Sequence, residues 1–158
     1  MMNASRSSLV YKVRALLLGL AGRVQWLPPL LGRLAVGLLF LSTGWGKVHD
    51  IPKVTAFFTT LGIPAPGFHA VLVGYSELIC GALLIVGLLT RLATIPLIVS
   101  MIVAILTAKL SELHNVFDLV GFEEFTYLVL LVMIAILGPG PVSLDHFVVR
   151  SLHNPPPQ

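Results

Sequence analysis

Residues 67–89, GFHAVLVGYSELICGALLIVGLL, are long enough to cross a bilayer and carry a carboxylate, Glu77, near their middle. A charge at that depth costs about 2.5 to 3.5 kcal/mol on insertion scales, so it calls for a partner or a function. On a helix Ala70, Gly74, Glu77, Gly81 and Leu84 share one face. Small residues on a face let a second helix come close, which turns Glu77 into a bundle and away from lipid.

Composition agrees with a membrane chain. Over 158 residues, 56% are hydrophobic and 11% charged, and the mean hydropathy is +0.95; soluble domains are far more polar. The net charge of +3 comes from scattered cations with no basic stripe, which argues against nucleic acid as a partner. Cys80 is the only cysteine, so the chain by itself offers no disulfide, redox CxxC pair or iron–sulfur ligand set. A lone thiol in an apolar helix reads first as packing.

The chain divides into an N-terminal segment (1–28), a membrane domain (29–150) and a proline-rich tail (151–158) expected to be disordered. In the first, the apolar run 15–21 lies among Lys12, Arg14 and Arg23 and is too short to span, so an amphipathic helix on the membrane surface is expected. The first span runs over residues 30–48, with Arg33, Gly37, Phe40, Gly44 and Lys47 on one face. Residues 52–61 follow as a short amphipathic lid. Residues 67–89 form the second span, residues from about 91 to 109 the third and 124–137 the fourth. The expected fold is therefore all-α, a four-helix integral membrane bundle. Arg6, Lys12, Arg14, Arg23, Arg33, Arg91 and Arg150 gather on one side, which places both termini in the cytoplasm.

Two cations are candidates to meet Glu77. If the first two spans begin level at Lys47 and Gly67, Glu77 lies about 15 Å down, level with Gly37. Arg33 is then one turn deeper and is the preferred partner; the alternative is that it snorkels to the headgroups. Lys47 leans the right way but starts about 15 Å too high. For Glu77 the bland reading is a structural acid that keeps two helices in register. The sharper one is a proton carrier or a hydrogen-bond partner for a lipid-soluble ligand. His49, His69 and His114 all fall on the outer side. A metal site there with Glu124 is geometrically allowed, a solvated surface fits them better, and no metal is assigned.

Arg33, the Gly44-Trp45-Gly46-Lys47 turn, Phe57-Phe58, Leu61-Gly62-Ile63-Pro64, Glu77-Leu78, Gly87-Leu88-Leu89-Thr90-Arg91 and Gly138-Pro139-Gly140 together resemble the DoxX family of small membrane proteins. The resemblance covers about residues 30–147. It implies a four-helix protein of the bacterial inner membrane. Some relatives are linked to membrane redox chemistry, among them a subunit of an archaeal thiosulfate:quinone oxidoreductase and a partner of superoxide dismutase and a sulfurtransferase. Family pattern positions carried over are Arg33, Lys47, Glu77 and Arg91, with Glu124 a looser match.

The leading expectation is a membrane subunit of a redox-linked system that binds a quinone or a partner oxidoreductase through Glu77, with Arg33 and Lys47 beside it. No flavin or nicotinamide fingerprint is present, so no cofactor is assigned beyond a quinone. The competing expectation is a non-enzymatic scaffold or a small-solute permease component. Homo-oligomers are open to either, since small-residue stripes serve packing within and between chains alike.

Overall fold

The computed structural model describes residues 3–153, and among them every element is helical. Helix α1 spans Asn3–Arg23, α2 Leu27–His49, α3 Ile51–Thr60, α4 Pro66–Val86 and α5 Thr90–Ala104. A π-helical turn, Ile105–Lys109, and a 3-10 turn, Leu110–Glu112, extend α5. Then come α6 (Val116–Gly121), α7 (Glu123–Leu137) and α8 (Leu144–His153). Helix α8 takes in Ser151 and His153, which the sequence places in the tail; residues 154–158 lie outside the described part, as do Met1 and Met2.

Helices α2, α4, α5 and α7 pack in a ring, each against the next, with α7 closing on α2. Val36 and Phe40 of α2, Leu84 of α4, Leu97 of α5 and Leu131 of α7 meet at its centre. Among the described residues three segments, Leu27–His49, Pro66–Val86 and Thr90–Glu112, are long and apolar enough to cross a membrane. With 15 residues, α7 is about 22 Å long and falls short of that length. Large apolar side chains face outward around the ring, including Leu38, Tyr75, Ile79, Ile95 and Ile136. Water would not tolerate so continuous an apolar exterior, and lipid would. The chain is an all-α membrane protein.

Backbones meet most closely where α2 crosses α4. A Cβ on Gly81 would stand 2.5 Å from Leu41 N and 2.9 Å from Gly37 O, and one on Gly44 would fall on the backbone of Leu78 and Glu77. These contacts fix the register: Gly44 is level with Glu77 and Leu78, and Lys47 and Val48 are level with Gly74. Helix α4 therefore begins about seven residues, or about 10 Å, beyond the end of α2. Helix α3 covers that overhang, with Thr55 against Gly67. Its start is set by Asp50, whose carboxylate accepts from Lys53 N at 3.2 Å.

At the opposite end a clasp joins three elements. Arg33 donates from Nη1 to Pro139 O and from Nη2 to Val142 O, both at 2.7 Å, holding the 138–143 loop. Gly87 ends α4 at φ 73°, and a Cβ there would collide with the Arg33 guanidinium, so the position is closed to side chains twice over. Asp145 of α8 caps α5, accepting from Leu89 N at 2.8 Å and Thr90 N at 3.0 Å. Leu89 holds a left-handed φ of 48°, a conformation unfavourable for leucine that this cap secures.

In α1 the residues Leu16, Leu17, Leu18 and Leu20 are all exposed. At 100° per residue they spread over an arc of about 200° and form no narrow stripe. The expected amphipathic face is therefore weak in this part of α1. Its place on a membrane surface stays a proposal.

Candidate functional site

Glu77 is 1% exposed, and its partner is Lys47: the ammonium Nζ lies 2.5 Å from Oε1 and 2.6 Å from Oε2. Thr43, one turn before Lys47 on α2, donates its hydroxyl to Oε2 at 3.0 Å. The carboxylate is thus matched by one cation and one hydroxyl, both from α2, in charge-assisted bonds of the strong kind.

This overturns the expectation that Arg33 pairs with Glu77. Arg33 is equally buried, at 1% exposed, yet it serves the 138–143 loop, with Asp145 as its electrostatic partner. The cause is register. With α4 displaced outward by about two turns relative to a level start, Lys47 descends to Glu77 and Arg33 meets the far end of α4 at Gly87. Snorkelling fails as well, because the Arg33 guanidinium is enclosed by protein carbonyls.

The pair lies on the wall of a pocket of about 1010 Å³ between α2, α3, α4 and α5, at the upper end of what small-molecule sites occupy. Val54, Phe57, Phe58 and Leu61 of α3 roof it, Leu72 and Val73 of α4 and Val99, Met101 and Val103 of α5 wall it, and Thr43, Lys47, Ser76 and Glu77 make a polar patch. Asp50, Lys53 and His69 stand at the α3 end. Both irregular turns of α5 face this space: Pro96, which withholds a backbone N–H from its helix, and the π-turn, which contributes Thr107 and Ala108. Single π-turns of this kind recur at functional sites. The lid expected over residues 52–61 is thus a pocket wall.

The other expected positions lie elsewhere. Arg91 is at the clasp end and donates weakly to Ile136 O at 3.4 Å. Glu124 sits in the first turn of α7, in a separate shallow depression with Lys109, Glu112 and Asp118. His49 stacks on Trp45, ring centres 4.2 Å apart, with Nδ1 against Trp45 O. His69 and His114 likewise set Nδ1 against backbone carbonyls, and among the described residues no three His, Cys, Asp or Glu side chains converge as metal ligands. Thr43 was missed, although its place one turn before Lys47 was a usable signal.

The family model for DoxX matches residues 29–110, which include the whole pocket and both members of the ion pair. The chain belongs to the DoxX family. It is 38% identical to "Uncharacterized membrane protein Rv3486" of Mycobacterium tuberculosis, covering 72% of this chain and 76% of that one. It is 34% identical to "Putative oxidoreductase CatD" of Bacillus subtilis, over 79% of this chain and 90% of its relative. "Inner membrane protein YphA" of Escherichia coli is 28% identical over 73% of this chain and 86% of its own length. No solved structure matches the chain at a significant level.

Proposed function

We propose that this DoxX protein is the membrane subunit of a redox-linked system and that its pocket receives the headgroup of a quinone-like lipid. The observation that carries the reading is a large apolar pocket with the Lys47–Glu77 ion pair on its wall, the Glu77 side chain buried. An ammonium has three donors. Glu77 takes the strong bonds of Lys47, and the side chain remains 31% exposed on the pocket side, where a ligand carbonyl can accept from it. Glu77 holds the ammonium in place and is the group through which a proton would reach or leave the headgroup.

Electrons would come from a partner oxidoreductase, since the chain has no dinucleotide fingerprint. The name of the Bacillus relative supports a redox setting. The inner-membrane relatives support the bacterial inner membrane, and the arginines at the clasp end, Arg33 and Arg91, support a four-span topology with both termini in the cytoplasm.

The test is extraction of nanodisc-purified protein and mass spectrometry of its lipids, comparing wild type with the charge-free double variant Lys47→Met/Glu77→Gln. The wild type should carry quinone at near one per chain, well above its share of the surrounding lipid, and the variant only the lipid share. Equal quinone in both would refute the pair as the binding group. No enrichment in either would leave the pair as architecture, the role it has in a scaffold or permease component.

A further inference from the structure

One hydroxyl in the pocket has no task within the fold. Thr94 and Thr107 of α5 turn their hydroxyls back onto Arg91 O and Val103 O, both at 2.8 Å, whereas Ser100 lies between them, lines the pocket, and has no hydrogen-bond partner among the described residues. A polar group at membrane depth without a partner is costly, so an uncommitted hydroxyl facing a cavity points to something that fills it.

Its depth is set by the chain. Glu77 stands ten residues before Gly87, where α4 ends, and Ser100 ten residues after Thr90, where α5 begins. The two helices run antiparallel against each other, so both side chains lie about 15 Å above the same turn. The ion pair and the hydroxyl are therefore carried by different walls of one pocket at one level.

We infer that Ser100 is the second polar anchor of this pocket and that its ligand is a planar headgroup with oxygens on opposite edges, one meeting Lys47 and the other Ser100. This rests on the quinone reading and narrows it: a para-quinone fits, and an amphiphile with a single oxygen leaves Ser100 unmatched. Ser100 is a specificity residue, with no part in the chemistry of the headgroup.

The experiment is equilibrium binding to the full chain in nanodiscs, with decylubiquinone as the probe with two opposed carbonyls and decyl phenyl ketone as the probe with one. Ser100→Ala should weaken decylubiquinone by about three- to ten-fold, the worth of one neutral hydrogen bond, and leave the ketone unchanged. Ser100→Thr, which keeps the hydroxyl, should stay near wild type. Equal loss for both probes would assign Ser100 to packing, and no loss for either would remove it from the site; each overturns the inference while saturable wild-type binding keeps the quinone reading. Absence of saturable decylubiquinone binding by wild type would overturn both.

Discussion

Lys47→Met should destabilise the protein by about 3 to 5 kcal/mol, because it leaves the Glu77 carboxylate buried with Thr43 as its remaining partner. The double variant Lys47→Met/Glu77→Gln should recover most of that loss. A neutral amide accepts from Thr43 as the carboxylate did, and no charge is left at membrane depth. Thermal unfolding in nanodiscs of the wild type, both single variants and the double variant gives the coupling directly. Additive losses would mean that the close pair contributes no mutual stabilisation.

A methyl group at either crossing glycine should also destabilise the protein, by a smaller amount. Gly81→Ala places Cβ against the backbone of Leu41 and Gly37, and Gly44→Ala against that of Glu77 and Leu78. No flexible side chain is there to yield, so α2 and α4 must separate, at a cost of about 1 to 3 kcal/mol each. The same separation draws Lys47 away from Glu77, so quinone retention should fall along with stability. Gly32→Ala is the control: nothing lies within 4 Å of its added Cβ, and alanine's higher helix propensity should leave stability equal or raised. A stability loss at Gly32 as large as at Gly81 would remove close packing as the explanation.

Much of this site is legible in the sequence. An acid in an apolar run marks Glu77, and glycines seven residues apart on two helices, Gly37 and Gly44, Gly74 and Gly81, mark the faces that meet. Lys47 stands on the right face as well. Register is what sequence spacing leaves open. Arg33 and Lys47 share a face, so which one meets Glu77 depends on where α4 starts along the bundle axis, and that is decided by α3. A ten-residue helix between two spans can lie flat or climb; here it packs on the first turns of α4 and lifts that helix by about two turns. The Arg33 clasp is hidden for a related reason, since its acceptors are backbone carbonyls of residues 139 and 142, and a carbonyl has no signature in side-chain identity. Ser100 is invisible for another: a serine in an apolar helix ordinarily bonds its own backbone, and only the pocket distinguishes this one.

The central claim, that the pocket beside Lys47 and Glu77 receives a quinone headgroup, is tested most directly by photolabelling. An azido-derivatised decylubiquinone would be irradiated with the full chain in nanodiscs and the labelled peptides mapped by mass spectrometry. The account predicts labels on Phe57 and Phe58 of α3 and on Val99 and Val103 of α5, which line the pocket, displaced by an excess of unlabelled decylubiquinone. Labels spread over the outward-facing Tyr75, Val132 and Ile136, undiminished by competitor, would contradict it.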